Sequence, residues 1–144
     1  MTHQDPLTTP AVPRLGLSAA VIFAIALGGA LGTVARYLLD TAYATPSGHF
    51  PATTLAINLS GSLAIGLLVP VTEMLTPRLP LARPFLVVGV LGGWTTYSTL
   101  AVDAVLLGKG GHSGLALVYL AITLVGGVGL VAIGDAIGER VVPT

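Results

Sequence analysis

Apolar residues in this chain fall into long blocks separated by a few charged positions, and those charges act as punctuation. Uncharged blocks run from Leu15 to Ala35, Thr41 to Thr72, Pro84 to Val102 and Gly110 to Gly134. A charged side chain near the centre of a bilayer costs on the order of 3 kcal/mol on insertion scales, so blocks free of charge mark membrane spans. Each can hold a helix of about 20 residues, the length that crosses a hydrocarbon core. The second block is too long for one helix, and Thr45-Pro46-Ser47-Gly48 with Pro51 supplies turn chemistry at its start. That predicts a second helix at about Ala52 to Leu75. The expected fold is all-α and integral to the membrane, with four transmembrane helices within residues 15–140. The first fourteen residues are polar and carry three prolines, which reads as a disordered tail.

Arg14 followed by an apolar run has the outline of a signal peptide. Three more spans follow, however, and Arg36 and Asp40 close the run without a convincing cleavage site, so it reads as a retained first helix. Arg14, Arg78, Arg83 and Arg140 fall on the side of the termini and Arg36 and Lys109 on the other, a bias that leans towards cytoplasmic termini.

Composition narrows the functions. Of 144 residues, 53% are hydrophobic and 8% charged, with a mean hydropathy of +0.91, against roughly 25% charged in soluble domains. Six basic residues balance six acidic ones, which leaves no electrostatic footprint for nucleic acid. The absence of cysteine excludes a disulfide framework, a thiolate metal site and a cysteine nucleophile within the chain. His3, His49 and His112 fall in the tail and loops, far apart and without a paired nucleophile, so no enzymatic activity is expected.

Polar residues inside the spans carry the remaining signal. Gly28-Gly29-Ala30-Leu31-Gly32, Ser62 with Gly66, and Gly134 with Gly138 give the small-residue spacing that lets helices approach closely in lipid. In so small a chain those surfaces are expected to meet another subunit. Thr54, Asn58 and Ser62, four residues apart, form a polar stripe along one face of the second helix. The hydroxyls can bond back to their own helix. The Asn58 amide cannot be satisfied that way, which leaves it open between an interhelical bond and a water-filled path.

In the third span, Gly92-Gly93-Trp94-Thr95-Thr96-Tyr97-Ser98-Thr99 sets a glycine pair against a run of hydroxyl residues and predicts a helix broken in mid-span. Such backbone survives at membrane depth only where protein buries it or a cavity meets it, and its freed carbonyls suit a small cation. A kink filled by Thr and Ser side chains is the plainer alternative. Asp103 fits either a pore mouth or the membrane interface. Tyr119 and Thr123 share one face of the fourth helix, continued at Gly127, and Tyr119 alone also fits an interfacial anchor.

Three segments together, Gly28-Gly29-x-x-Gly32-x-x-x-Arg36-Tyr37, Asn58-x-x-Gly61-Ser62-x-x-x-Gly66 and Gly92-Gly93-x-Thr95-Thr96-Tyr97-Ser98-Thr99, resemble the Fluc fluoride channel family, also called CrcB. The resemblance covers about Leu15 to Arg140. It implies a small protein of the bacterial plasma (inner) membrane that assembles as an antiparallel dimer and lets fluoride leave the cell passively along two pores at the dimer interface. By position, Thr54, Asn58, Ser62, Thr96, Tyr97, Ser98, Leu100, Tyr119 and Thr123 would line the ion path. Arg36 and Asp103 would sit near a vestibule. The main-chain oxygens of Gly92 and Thr95, from both subunits, would hold a structural sodium ion. The implied partners are fluoride, membrane lipid and a second copy or a homologous sister subunit.

Three positions depart from the family pattern. Tyr97 and Leu100 stand where two phenylalanines are usual, and Leu100 offers no positive ring edge to an anion. Gly127 replaces a polar residue on the fourth helix, and Trp94 is bulky for the neighbourhood of a cation, so it is expected to face the partner. These departures keep a non-conducting accessory subunit, or half of a heterodimer, in view. A proton-coupled exporter of the small multidrug type shares the size and helix count, but needs a carboxylate in the first helix. None lies between Leu15 and Ala35.

Overall fold

The computed structural model describes residues 18–46 and 48–142, so the expected tail at 1–14 lies outside the described residues. Among those residues all regular structure is helical and forms four membrane-length spans. Helix α1 (Ala19–Ala42) starts at Ser18, whose hydroxyl accepts the Val21 N–H at 3.3 Å. Helix α2 (Ala52–Leu75) has the predicted bounds. The third span opens with α3, residues 84–94, in which Pro84–Leu91 is wound as a π-helix and Gly92–Trp94 as an α-turn. It resumes as α4 (Tyr97–Lys109), and α5 (Ser113–Val141) follows after a turn in which Gly111 takes φ +82°.

Charges do not end the helices where the sequence pattern put them. Helix α1 continues through Arg36 and Asp40, which lie one turn apart on the same face with 3.7 Å between Arg36 Nη1 and Asp40 Oδ2. The third span runs past Asp103, and α5 past Asp135. The long Arg36 stem can carry its charge towards the interface, Asp40 pairs with it, and Asp103 accepts from Thr54 and Tyr119, so these charges sit in helix without unwinding it.

The glycine seams correct an expectation. They join helices of one chain rather than of two. A Cβ on Gly28 would strike the carbonyl of Phe85, and one on Gly32 the carbonyl of Val90, so α1 and α3 pack backbone to backbone. A Cβ on Gly66 would strike the Val131 carbonyl, and one on Gly134 the Leu63 carbonyl, which fits α2 against α5 in the same way. Lipid tails are as apolar as the helices, so hydrophobic burial does not drive this association and close contact must. Gly92 is the exception in the break: an added Cβ would meet nothing within 4 Å.

Helix α4 lies on α5 through a small core of Leu107, Ala116 and Tyr119, with Phe50, Leu55, Leu100 and Ala104 around it. Phe50 meets the Tyr119 ring edge to face at 5.8 Å. This core fixes the half-helix after the break, and with it the residues that follow Thr96.

Candidate ion pathway and helix break

Helical winding stops after Trp94. Thr95 (φ −72°, ψ 152°) and Thr96 (φ −142°, ψ 120°) are extended, and winding resumes at Tyr97. The last bond of the first half runs from the Thr95 N–H to the Leu91 carbonyl at 3.0 Å. The next N–H, of Thr96, would reach the Gly92 carbonyl in a continuous helix. It goes to Asn58 Oδ1 instead, at 2.8 Å. Asn58 Nδ2 in turn donates to the Thr96 carbonyl at 3.0 Å. One buried amide therefore satisfies both main-chain groups of a single extended residue.

This reciprocal pair fixes which way the Asn58 amide faces, because a flip would set oxygen against oxygen and N–H against N–H. Its second Nδ2 hydrogen has no protein acceptor among the described residues. The Thr96 hydroxyl caps α4 by accepting the Thr99 N–H at 3.1 Å, with Thr99 Oγ1 at 3.0 Å and Ser98 Oγ at 3.3 Å. The N–H groups that a continuous helix would aim at the Gly92 and Thr95 carbonyls are thus both diverted, that of Thr96 to Asn58 and that of Thr99 to the Thr96 hydroxyl. The Gly93 carbonyl is taken from α1, by Arg36 Nε at 3.2 Å. Uncapped carbonyls beside open space at Gly92 are hard oxygen donors of the kind a small cation takes, so the residues present fit the sodium site the resemblance implies.

The three polar positions of α2 meet three different partners. Thr54 Oγ1 donates to Asp103 Oδ2 at 2.8 Å, and the Tyr119 hydroxyl reaches the same oxygen at 3.3 Å. Asn58 holds Thr96. Ser62 faces Gly127, where an added Cβ would lie 3.2 Å from its Oγ. Ser62, Tyr97, Leu100 and Thr123 line one groove of about 440 Å³ on the outer face of α2, α4 and α5, together with Leu120, Leu124, Gly127, Val128 and Val131. Tyr97 is 83% exposed there. Thr123 donates back to the Tyr119 carbonyl at 2.8 Å, whereas the Ser62 hydroxyl has no partner among the described residues.

The expected residues therefore divide into two groups. Thr54, Asn58, Thr96 and Tyr119, all buried, and the half-buried Asp103 form a ladder that ties α2, α4 and α5 together. Ser62, Tyr97, Leu100 and Thr123 border the groove, and Ser98 is exposed beside the cap. Arg36 reaches inward to the break as well as to Asp40. Asp103 lines a small cleft under the α1–α2 loop with His49, Thr45 and Pro51. Trp94 turns to its own chain: its indole N–H donates to Ser60 Oγ at 3.1 Å. Neither that bond nor the Arg36 contact left a periodic mark, because Ser60 sits beside the polar stripe and Arg36 is 57 residues from its acceptor.

A family model described as CrcB-like protein, Camphor Resistance (CrcB), matches residues 23–135. The chain belongs to the CrcB family. This CrcB chain is 46% identical over 106 residues to the fluoride-specific ion channel FluC 2 of Streptomyces avermitilis, a match covering 74% of the chain and 67% of that protein. It is 40% identical over 126 residues to FluC 3 of the same organism, covering 88% of the chain and 62% of the relative. To the fluoride-specific ion channel FluC of Agrobacterium fabrum it is 43% identical over 120 residues, covering 81% and 94%. The family match, over residues 23–135, takes in the stripe, the break and the groove alike.

Proposed function

We propose that this chain is a subunit of a passive, fluoride-selective channel that releases fluoride from the bacterial cytoplasm across the plasma membrane. It would work as an antiparallel dimer, with a second copy or a homologous sister subunit. The observation that carries this reading is the Asn58 amide, locked by Thr96 so that its unspent N–H remains to meet an anion. Fluoride is small and strongly hydrated, and crossing a bilayer requires close-range donors in place of its water. Asn58, the Ser62 hydroxyl and the ring edge of Tyr97 are such donors, and none is a full positive charge that would trap the ion. The groove that Ser62 and Tyr97 border is lined by no Lys or Arg. Two FluC proteins in one Streptomyces make a sister subunit a concrete alternative to a second copy.

Gly92 and Thr95 are the residues that would hold sodium, through their carbonyls. Bound there, it would add positive charge that eases desolvation of a nearby anion without lying in its path. The chain's own part is to keep those two oxygens uncapped, which Asn58 and the Thr96 hydroxyl do by drawing away their helical donors.

Fluoride efflux from liposomes holding only this purified chain, read with a fluoride electrode against a chloride control, tests the proposal. Selective efflux is expected. Efflux only after co-expression with a sister subunit would place the chain in a heterodimer, and none in either case from folded protein would overturn the channel reading. Leu100 favours an accessory role, since it lines the groove without a ring edge. Leu100→Phe is expected to raise efflux several-fold in the same assay, and unchanged efflux would remove that position from the path.

A further inference from the structure

The two extended residues of the break have no ladder of their own, so their peptide planes point where neighbouring side chains hold them. Asn58 holds Thr96 and Arg36 holds the Gly93 carbonyl. Between the two carbonyls left uncapped, Gly92 and Thr95, stands Trp94. Its indole N–H donates to Ser60 Oγ at 3.1 Å, and the Ser60 hydroxyl spends its own hydrogen on the Ile57 carbonyl at 3.0 Å. Ser60 is thereby oriented as an acceptor. Gly61 makes the approach possible: a Cβ there would lie 3.2 Å from Trp94 Cδ1 and would strike the Thr95 methyl. A ring that size, anchored through its pyrrole N–H, resists rotation of the peptides on either side of it.

We propose that Trp94, tethered through Ser60 to α2, is a positioning residue for the carbonyl cradle, aiming the Gly92 and Thr95 oxygens at the open face beside Gly92. The proposal rests on the sodium reading above. It assigns the bulky residue a role within its own chain, in which the indole touches no ion and acts through the backbone it fixes. Loss of one such hydrogen bond leaves the cradle intact in composition but loose in aim, and apparent cation affinity falls.

Trp94 is the chain's only tryptophan, so its emission reports on the break directly. The experiment titrates sodium, against N-methylglucamine at constant ionic strength, into the full chain in detergent, and reads Trp94 emission together with dimer fraction by light scattering. The wild type is expected to saturate in both signals. Ser60→Ala is expected to need about three- to tenfold more sodium, the range for one neutral hydrogen bond, and Ser60→Thr, which keeps the acceptor, to restore the midpoint. Trp94→Phe, followed by dimer fraction, should show the same shift as Ser60→Ala, and the double variant no further shift. A sodium response in wild type with unmoved midpoints in Ser60→Ala and Trp94→Phe would overturn the positioning role and leave the sodium site standing. No sodium response in wild type would overturn the sodium reading and the proposal with it.

Discussion

Asn58→Asp is expected to lower fluoride efflux by at least one to two orders of magnitude while the helices stay packed. The substitution changes almost no volume, so its effect isolates hydrogens and charge. Asn58 uses three groups: Oδ1 on the Thr96 N–H, one Nδ2 hydrogen on the Thr96 carbonyl, and a second hydrogen left over. An aspartate fails in either state. Ionised, it sets negative charge against the Thr96 carbonyl and against an approaching anion. Protonated, it keeps both bonds to Thr96 but has no hydrogen left for the ion. Loss of one hydrogen bond to a charged partner corresponds to about 1.5–3 kcal/mol, which is about one to two decades of rate. The ionised state would cost more. Efflux from liposomes decides the case, with circular dichroism and elution profile as controls on folding. Wild-type efflux from a well-folded Asn58→Asp chain would take the amide out of the pathway.

That one side chain serves both the break and the proposed path explains why the sequence left its role open. An asparagine in a membrane span needs a partner, and sequence spacing says only that the partner is off its own helix. The structure supplies Thr96, 38 residues away, and shows that the interhelical bond and a free donor coexist. The four spans were legible because charge is too costly at the bilayer centre to be scattered at random. The ends of α1 and α4 were less so, since Arg36, Asp40 and Asp103 find partners within the protein and the helices run on past them. The π-type winding of Pro84–Leu91 had no signature at all in a run of Phe, Leu, Val and Gly. Small-residue spacing correctly marked close helix contacts but not whose contacts they were. Backbone approach within a chain and between chains asks for the same glycines, so only the fold distinguishes them.

Two glycines therefore give opposite expected results with one substitution. Gly32→Val is expected to prevent a stable fold, whereas Gly92→Val should leave a folded chain that no longer dimerises. At Gly32 the added Cβ would meet the Val90 carbonyl and would lie 3.0 Å from the Trp94 N atom, all of it backbone of the helix that leads into the break. A flexible side chain can swing away, but a helix backbone yields only by moving the helix. The cost is expected to reach about 3 kcal/mol, the upper end for overpacking, in a chain whose helices are held by contact and little else. At Gly92 the backbone is ordinary helix (φ −64°) and the space beside it is empty. A valine there fits the single chain and crowds only what approaches from outside, a cation or a second subunit. The paired measurement is thermal stability by size-exclusion elution, with dimer fraction by light scattering in sodium. Aggregation or a sharply lowered melting temperature for Gly32→Val, beside a monodisperse monomer for Gly92→Val, is the expected pattern. A wild-type dimer from Gly92→Val would mean that the open face at the break is not where two subunits meet.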